Sequence, residues 1–546
     1  MKHIVLINPP VSIYLNKTAF APLPLLVLGT CLKKLRQAGT GITYEVVDLD
    51  LMLKQGVFQD DEYFYDTAAD FLLEKNPDIL LFTVHGLNHI AVLNLSKRIK
   101  NKHSCFIAVG GVGPTLKAKD ALARCPDIDI IVKGEGEPVI RHLIPAVLST
   151  GDFSGVPSIV YRKNGAVVEN PAACPDAGEP ILPPDYSLIR IEDYIAHNAV
   201  YPYIHPGFVL VESGRGCPYL CSFCAPAKMW GGTVRYRPLP EIIEEMKFLA
   251  EKGGNFSFFT QDNLEAGFLR RFSEALILEK TNLSWGCYSR LDRLPDNMAD
   301  LLSEAGCRII FTGFETSSLS AQKKIRKVIN IGSTFEKLKL YNQKGIRFIG
   351  SFIAGFSDET DAELANTMML AIKCAIGQKA EKIDEIIAKT DQRDLPRDPV
   401  NICVIHPLFH MPGTDSFDEV ADALHISRHS IHPDCYGSYL FSYDEFKDDW
   451  SFLGSNPYLN HLSEKKVRYY CSVLRLFNFL NSRPFYFELL LRITKQDPLT
   501  FIKNMAAHLG EAFILSAQLE IFETKSREHV KQYLEFVPQW TTKKGQ

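Results

Sequence analysis

The chain has 546 residues, of which 46% are hydrophobic and 23% are charged, and its 60 Lys and Arg residues nearly balance 64 Asp and Glu residues. A chain of this length forms roughly three or four domains, each large enough to bury its own core. The net charge of −4 gives no reason to expect nucleic acid or an anionic membrane as the main partner.

Residues 1–150 alternate short β-like runs with stretches of helical periodicity. The predicted strands are 4–8, 44–48, 79–83, 106–110 and 128–132. Helical spacing lies between them, near 24–38, 62–75, 90–101, 116–123 and 137–149. This βαβ rhythm predicts a doubly wound, Rossmann-like parallel sheet, whose ligand lies beyond the carboxyl ends of the strands.

Residues 151–205 are rich in Pro, Gly, Asp and Ala without sustained periodicity, which predicts a connector. A second alternating region follows at 206–415. Its predicted strands are 208–212, 256–260, 283–288, 309–313, 346–352 and 402–405. Six such βα units predict an α/β partial barrel with its chemistry at the carboxyl ends of the strands. Residues 416–546 are predicted to form a mostly helical domain.

The chain has 13 cysteines, and most of them stand singly in apolar runs, as expected of reduced core residues. Cys217, Cys221 and Cys224 differ, because they follow the first strand of the second region with the spacing Cys-x₃-Cys-x₂-Cys. A structural zinc site needs four protein ligands, and Cys174 and Cys287 are distant along the chain, so zinc is the weaker alternative. Three thiolates on one loop suit a four-iron cluster with one iron left free of protein ligands.

This loop, with an aromatic residue before its third cysteine, resembles the cluster loop of the radical S-adenosylmethionine (SAM) superfamily. The resemblance implies that the three cysteines hold a [4Fe–4S] cluster, that SAM binds the free iron, and that Phe223 flanks the adenine. Motifs at the later strand ends extend the resemblance and imply SAM contacts from Asp262, Ser289, Arg290, Glu315 and Ser351. For Arg290 and Glu315 the alternative is an ordinary salt bridge at strand ends, and for Asp262 it is ordinary loop chemistry.

The first region resembles the cobalamin-binding domain of cobalamin-dependent radical SAM enzymes of the class B methyltransferase type. The matching motifs are Ile-Asn-Pro-Pro near the start, Gly-Gly after the fourth strand and Gly-Glu-Gly-Glu after the fifth, and the resemblance covers about residues 1–415. The cobalamin contacts that it implies are Thr83, Val84, His85, Gly86, Gly110, Gly111, Val112, Gly134 and Gly136. A tight turn without a ligand also explains Gly110 and Gly111, and the family includes members that keep this fold without using cobalamin.

The sequence also bears on the lower axial ligand of the cobalamin. The Asp-x-His-x-x-Gly motif that supplies it in many cobalamin enzymes is absent from residues 1–150. We therefore expect cobalamin without a histidine ligand, with His85 as the alternative ligand.

The resemblance implies a C-methyltransferase that moves a methyl group from SAM, through methylcobalamin, to a carbon of a small-molecule or peptide-derived substrate. The alternatives are a radical SAM cyclase or ring-rearranging oxidoreductase with the same cofactors, a non-radical cobalamin-dependent methylase and, outside enzymes, an iron–sulfur redox sensor. The substrate pocket is expected at the barrel mouth, lined by Tyr288, His406 and Phe409. Hydrogen abstraction by a radical needs no acid or base, so none is assigned.

The expected partners are this substrate and a flavodoxin- or ferredoxin-type electron donor, without nucleic acid. Residues 1–8 form a short apolar run followed by two prolines, unlike a secretory signal. No stretch of about 18 apolar residues predicts a membrane span. A cluster with an open iron needs reducing surroundings, so we expect a cytoplasmic location.

Overall fold

The computed structural model describes most of the first 423 residues of the chain. These are residues 1–10, 19–59, 61, 63–84, 88–149, 151–172, 180–198, 207–356, 358–376, 401–408 and 413–423. The helical domain predicted at 416–546 therefore lies almost entirely outside the described residues.

Seven strands form the first sheet: β1 (Lys2–Asn8), β2 (Ile42–Asp48), β3 (Ile79–Thr83), β4 (Phe106–Gly110), β5 (Ile130–Val132), β6 (Ile159–Lys163) and β7 (Ala166–Glu169). They lie in the order β2-β1-β3-β4-β5-β6-β7. β1 to β5 pair in parallel, whereas β6 and β7 are antiparallel additions. The parallel strands are the five that the sequence predicts, and the Rossmann-like fold is confirmed.

Helices cover both faces of this sheet: α1 (Leu23–Gln37), α2 (Leu49–Lys54), α3 (Phe64–Glu74), α4 (His89–Lys102), α5 (Val112–Leu116), α6 (Ala118–Arg124) and α7 (Glu137–Leu148). Successive side chains of a strand point to opposite faces. Ile4 and Leu6 therefore join the core under α1 and α7, whereas Val5 and Ile7 join the core under α3 and α4. Because both faces are buried, the strands are nearly continuous apolar runs.

The hairpin of β6 and β7 lies inside the segment predicted as a connector. Asn164 and Gly165 join its strands with φ angles of 51° and 81°, and two positive φ angles suit a tight turn between twisted strands. The structure corrects the connector prediction at this point, because residues 159–169 belong to the first sheet. The Asn-Gly pair is a hairpin signal, but the Pro-rich flanks indicate a loop. The domain boundaries themselves stay predictions.

Six strands form the second sheet: β8 (Phe208–Val211), β11 (Phe256–Phe259), β12 (Ser284–Tyr288), β13 (Cys307–Glu315), β14 (Arg347–Ala354) and β15 (Ile402–Pro407). All are parallel and lie in the order β15-β14-β13-β12-β11-β8, with β8 and β15 at the two edges. The short strands β9 (Gly214–Arg215) and β10 (Arg235–Tyr236) pair separately. The predicted six-unit partial barrel is confirmed.

The second sheet has two different apolar faces. Its helices are α8 (Ile191–Asn198), α9 (Ala225–Trp230), α10 (Leu239–Glu251), α11 (Ala266–Leu278), α12 (Met298–Glu304), α13 (Leu319–Lys324), α14 (Ile331–Gln343), α15 (Asp361–Ile376) and α16 (Asp415–Ala423). Trp285 and Cys287 belong to the large core that the strands share with α8, α10, α11, α12, α14 and α15. Phe208, Phe256 and Phe258 point to the other face and form a separate cluster of stacked rings. This aromatic cluster fills the inside of the curled sheet below the strand ends.

Asp48, at the carboxyl end of β2, links the first sheet to α8. Its carboxylate accepts hydrogen bonds from Asn8 Nδ2 at 2.9 Å, from the backbone N–H of Leu51 at 3.0 Å and from the Tyr194 hydroxyl at 2.8 Å. Burial raises the pKa of Asp48 to about 6, in spite of these bonds. Tyr194 also packs in the core of the second sheet, so this carboxylate joins the two halves of the molecule.

Ten cysteines lie among the described residues, and none of those ten forms a disulfide. The buried ones are Cys31, Cys105, Cys287, Cys307, Cys374 and Cys403. Burial raises their pKa, for example to about 11 for Cys105, so they are unreactive packing residues. Cys174, Cys435 and Cys471 lie outside the described residues. Within the part of the chain that is described, no helix combines the length and apolar character that a membrane span needs.

Candidate active site

The three clustered cysteines lie on a loop that follows β8 and ends at α9; we call it the cysteine loop (217–224). β9 and β10 pair across its start. Gly216 has a φ of +98°, and a Cβ there would lie 2.0 Å from the carbonyl oxygen of Thr233, so this close approach requires glycine. Cys224 is the N-cap residue of α9. The loop is therefore held at both ends, with Cys217 and Cys221 between.

All three thiols are partly buried. Burial raises the pKa of Cys217 and Cys221, and it raises the pKa of Cys224 to about 12. The charges of the other two thiolates add to the pKa shift of Cys224, which shows that the sulfur atoms are neighbours. Metal binding removes the proton from a coordinating thiol, so iron would turn this loop of neutral thiols into thiolates.

The arrangement of the three thiols suits an iron–sulfur cluster. A zinc ion holds its ligands around one point, with Zn–S distances of about 2.3 Å. Among the described residues, no three His, Cys, Asp or Glu side chains converge in that way. An iron–sulfur cluster instead takes each of its cysteine ligands on a different iron. Three neighbouring thiols on one loop are therefore suited to a four-iron cluster.

The middle of the cysteine loop is fixed to the carboxyl end of α13. The backbone N–H of Ser222 donates to the carbonyl oxygen of Ile325 at 3.1 Å, and the Ser222 hydroxyl donates to that of Lys324 at 3.4 Å. Phe223 packs on an apolar cluster that contains Ile325 and Ile353. Packing therefore sets the position of Phe223, the residue predicted to flank the adenine of SAM.

Asp262 follows β11 and faces the cysteine loop. After burial, its charge is a further cause of the raised pKa of Cys217, Cys224 and Tyr288. The surrounding protein also raises the pKa of Asp262 itself, against a hydrogen bond from Trp230, yet its side chain is exposed to solvent. A carboxyl group that is surrounded by protein but still reaches solvent lines an open cleft. Asp262 and Tyr288 thus mark the mouth of the barrel.

Arg290, after β12, is buried and already has a carboxylate partner. Its guanidinium donates to Asp292 at 3.0 and 2.7 Å and lies over the ring of Tyr219, 4.4 Å from the centroid. Burial opposes its ionisation, but the hydrogen bonds to Asp292 outweigh that effect and raise the pKa of Arg290. Because Tyr219 stands between Cys217 and Cys221 in the chain, Arg290 contacts the cysteine loop directly.

Glu315, at the end of β13, pairs with Lys327 and not with Arg290. Lys327 Nζ lies 2.5 Å from Glu315 Oε1, and both side chains are more than nine-tenths buried. Glu315 has a φ of +62°, which is uncommon for a residue with a side chain. A Cβ on Gly313 would lie 1.9 Å from Glu315 Oε1 and 2.6 Å from Lys327 Nζ, so the pair fills that space. The Lys327 charge also acts against the raised pKa of Cys221, which places the pair beside the cysteine loop.

The other predicted residues of the barrel differ in what they can do. The Ser289 hydroxyl donates to the carbonyl oxygen of Leu264 at 2.7 Å, so it serves the fold. Ser351 is half-buried on β14, and His406 is exposed on β15. Both lie in the carboxyl half of their strands, on the same side as the cysteine loop. Phe409 lies outside the described residues.

The glycine motifs of the first sheet lie at its carboxyl edge, but packing explains two of these glycines. A Cβ on Gly111, whose φ is +121°, would lie 2.2 Å from the carbonyl oxygen of Val84, and one on Gly136 would meet the Leu28 side chain at 2.9 Å. Gly134 is different. It has a φ of +72°, and nothing lies within 4 Å of its Cβ position, so the edge is open there and leaves room for a cofactor.

The structure places the remaining residues of this edge at the ends of β3 and β4 and at the start of α5; they are Thr83, Gly110 and Val112. The backbone N–H of Val84 donates to the carbonyl oxygen of Gly110 at 2.7 Å, which ties the ends of β3 and β4 together. His85 and Gly86 lie outside the described residues. The prediction that cobalamin has no histidine ligand therefore stays a prediction.

The carboxyl edges of the two sheets face each other. Glu135, which follows β5, forms ion pairs with Arg215 of β9 and Arg235 of β10. α5, which follows β4, packs on α9 at the end of the cysteine loop. A Cβ on Gly413 would lie 2.9 Å from the Cβ of Leu116, the last residue of α5. The region between the sheets is thus bounded by the cysteine loop on one side and the glycine loops on the other.

Sequence reasoning missed three charged residues of this region: Asp292, Lys327 and Glu135. Asp292 stands two residues after Arg290, and that short spacing is a signal that could have revealed it. Lys327 pairs with Glu315 across 12 residues of sequence, and Glu135 pairs across 80 residues. No local pattern identifies partners of that kind, because the folded chain alone brings them together.

Comparison with known proteins identifies both halves of the molecule. Residues 22–144 match the B12 binding domain and residues 211–371 match the radical SAM superfamily. An uncharacterized methyltransferase of Pyrococcus horikoshii is 27% identical over 332 residues, which cover 60% of this chain and 70% of the relative. The anaerobic magnesium-protoporphyrin IX monomethyl ester cyclase of Synechocystis sp. is 25% identical over 380 residues, which cover 67% of this chain and 71% of the relative.

Among solved structures, TsrM from Kitasatospora setae, a radical SAM methyltransferase with cobalamin and a [4Fe–4S] cluster bound, has a similar fold. The TM-score is 0.64 at 17% sequence identity, over 98% of this chain and all of TsrM. At this identity the likeness concerns the fold alone.

The two matched domains define a radical SAM enzyme that carries a B12-binding domain at its amino-terminal side. The chain thus combines the two domains of the cobalamin-dependent radical SAM enzymes, as the sequence motifs predict. The two domains imply a [4Fe–4S] cluster, SAM and cobalamin as its cofactors.

Proposed function

We propose that the protein is a C-methyltransferase that moves a methyl group from SAM, by way of its cobalamin, to a carbon atom of a small-molecule or peptide-derived substrate. This proposal rests on one observation, which is that the carboxyl edges of the two sheets face each other. The cysteine loop lies at the edge of the second sheet, and the open position at Gly134 lies at the edge of the first. A transfer reaction needs its donor and its activated acceptor side by side. The similarity to the Pyrococcus horikoshii methyltransferase supports the same reaction.

In this proposal the barrel residues hold the reactants by charge and shape. Cys217, Cys221 and Cys224 bind the cluster. Arg290 and the Glu315–Lys327 pair provide both signs of charge for a zwitterionic amino acid beside the cysteine loop. When bound, the cofactors supply reductive cleavage of SAM and the methyl group.

Other residues shape the cleft in this proposal. Phe223 contacts the adenine, while Asp262 and Ser351 line the SAM side of the cleft. Tyr288 lies on the rings of Phe258 and Phe311, so the floor below the substrate is apolar and excludes water.

The substrate lies between the SAM side and the first sheet in this proposal. His406 and Tyr288 offer it polar contacts on the barrel side, and Gly134 marks the cobalamin side. TsrM has been solved with tryptophan as its substrate, which supports a small molecule here. A flavodoxin- or ferredoxin-type protein is proposed to supply the electrons.

The test is anaerobic reconstitution with iron, sulfide and hydroxocobalamin, followed by SAM with a trideuterated methyl group and a reductant. We expect both cluster and corrin absorption, formation of S-adenosylhomocysteine, and the deuterated methyl group on the protein-bound corrin. The matched control is Cys221→Ser, which should keep corrin binding and lose 5′-deoxyadenosine formation. A protein that binds the cluster but no corrin would refute the methyltransferase proposal.

A second candidate reaction is oxidative ring formation, because the Synechocystis cyclase matches 71% of its own length. Incubation with a small-molecule extract and deuterated SAM separates the two reactions. A product that gains the labelled methyl group supports methylation, whereas a product that loses hydrogen without label supports the cyclase. A labelled product formed without any 5′-deoxyadenosine indicates the non-radical mechanism.

A further inference from the structure

Five charged residues form one ionic network between the two halves of the molecule. Arg215 Nη1 lies 2.8 Å from Glu135, Arg215 Nη2 lies 2.6 Å from Glu137, and Arg215 Nε lies 2.8 Å from Glu212. Arg235 forms an ion pair with the second carboxylate oxygen of Glu135. Glu135 and Glu137 belong to the Gly-Glu-Gly-Glu motif after β5, whereas the other three residues flank or form β9 and β10. The network therefore spans the cleft.

The network is too buried to be an ordinary surface salt bridge. The exposed fraction of its side chains ranges from 8% for Glu135 to 17% for Glu212. Charges in such surroundings are retained only with good geometry, and a planar guanidinium bonded on three sides has one orientation. Arg215 is thus rigidly held.

Each end of the network is next to a cofactor region. Arg215 stands two residues before Cys217, and the Gly216 between them has its backbone fixed by the approach to Thr233. Glu135 stands between Gly134, where the edge of the first sheet is open, and Gly136, which packs on α1. One direct connection between the two cofactor regions therefore runs through the Glu135–Arg215 ion pair.

We propose that Glu135 and Arg215 are positioning residues that set the distance between the cobalamin and the iron–sulfur cluster. This inference rests on the proposed function for its purpose, but the distance itself can be measured without turnover. It also gives the Gly-Glu-Gly-Glu motif a divided role, in which the glycines shape the loop and the glutamates fix the cysteine loop. A displacement of about 1 Å can lower the rate of a transfer step about 100-fold.

The first experiment is pulsed electron paramagnetic resonance on the holoenzyme, with cobalt(II) in the cobalamin and the cluster reduced. We expect one narrow cobalt–cluster distance in the wild type, and in Glu135→Gln a broader distribution shifted to longer distances with full cofactor content. The control is Lys247→Gln, which breaks the exposed pairs with Glu244 and Glu279 and should leave the distance unchanged.

Charge reversal at Glu135 distinguishes a positioning role from general damage to the fold. Glu135→Lys should disturb the distance more than Glu135→Gln, because it places a cation beside two arginines. Adding Arg235→Glu restores an opposite charge and should restore the narrow distribution. If Glu135→Gln and Glu135→Lys both keep the wild-type distribution, the inference is overturned. Failure of methyl transfer with a normal distance would instead refute the proposed function.

A second measurement does not depend on bound cobalamin. Val57 on the first half and Leu278 on the second are exposed, so cysteines placed there can carry nitroxide labels in the cluster-loaded protein. Their separation should broaden in Glu135→Lys and recover with Arg235→Glu. An unchanged separation in Glu135→Lys contradicts the inference even where no corrin binds.

Discussion

The first sheet carries glycines at its carboxyl edge, whereas the second carries thiols and buried ion pairs. At the first edge, the approach of Val84 to Gly111 is a sufficient structural reason for a glycine. At the second edge, Glu315 and Lys327 are charges more than nine-tenths buried, and burial costs several kcal/mol per ion even when the ions pair. Packing alone does not require such a pair. A buried charge is therefore a stronger indication of function than a glycine at a strand end.

Loss of a cluster ligand has the largest expected effect on the second edge. Cys221→Ser should abolish the absorption of the [4Fe–4S] cluster and reduce 5′-deoxyadenosine formation to background, because the remaining thiols hold the cluster incompletely. Cys287→Ala is the matched control, since Cys287 is buried in the core of the same domain. It should keep the cluster and lower the unfolding free energy by roughly 1 kcal/mol. Cluster loss in both variants would contradict a specific role for Cys221.

Breaking the buried Glu315–Lys327 ion pair has the next largest expected effect. Lys327→Met leaves Glu315 as an unpaired buried charge, so we expect the unfolding free energy to fall by about 3–5 kcal/mol, measured by urea denaturation. The double variant with Glu315→Gln removes both charges and should regain part of that loss. SAM affinity, measured by equilibrium dialysis on the cluster-loaded protein, should stay low in both. Wild-type SAM affinity in the double variant would make the pair purely structural.

Substitution by alanine can distinguish the roles of two glycines at the edge of the first sheet. Gly111→Ala should lower the unfolding free energy by about 3 kcal/mol, because its φ of +121° with ψ of −176° is a conformation that only glycine adopts readily and the added Cβ would also meet the carbonyl oxygen of Val84. Gly134→Ala should cost about 1–2 kcal/mol, since only its positive φ is unfavourable. Cobalamin content per protein should fall more in Gly134→Ala than its small stability loss explains. A larger loss of stability in Gly134→Ala, with a larger specific loss of cobalamin in Gly111→Ala, would reverse the roles assigned to these glycines.

The last prediction tests a buried charge at the first edge, whose effect appears only as the pH is changed. An unfolded Asp has a pKa of about 3.9, whereas Asp48 has a pKa of about 6 in the fold. The folded state therefore holds the extra proton, so this contribution to stability is complete below about pH 4 and is lost as the pH rises through 6. The difference amounts to up to about 3 kcal/mol. The measurement is the free energy of unfolding in urea as a function of pH. The wild type should lose stability as the pH rises through 6, whereas Asp48→Asn should not. The same pH dependence in both proteins would exclude the effect.

The sequence predicts the strands well because most of them are continuous apolar runs with both faces buried. β3 and β4 match their predicted bounds, 79–83 and 106–110. β13 extends beyond its predicted 309–313 to reach Glu315, since the polar end of a strand carries no apolar signal. The hairpin of β6 and β7 was missed because its Asn-Gly turn lies within a Pro-rich segment.

The partners of the charged residues were harder to predict than the elements that carry them. Motif positions indicate that Arg290 and Glu315 belong near the cysteine loop, and the structure places them there. Their ion-pair partners, Asp292 and Lys327, depend on how loops pack across the barrel mouth. Glu135 lies inside a motif that the sequence associates with cobalamin, yet its side chain contacts the other sheet. Side-chain pairing is thus a tertiary property, which local patterns do not encode.

The ionic network between the sheets has a consequence for evolution and protein engineering. The two sheets resemble separable modules, and each matches its own family model. Arg215, however, makes two of its three ion pairs with Glu135 and Glu137 of the other module. A chimera that takes its first module from a relative must also receive acidic residues at these two positions. The boundary for exchanging modules therefore follows the ion pairs, and these contacts decide whether two modules are compatible.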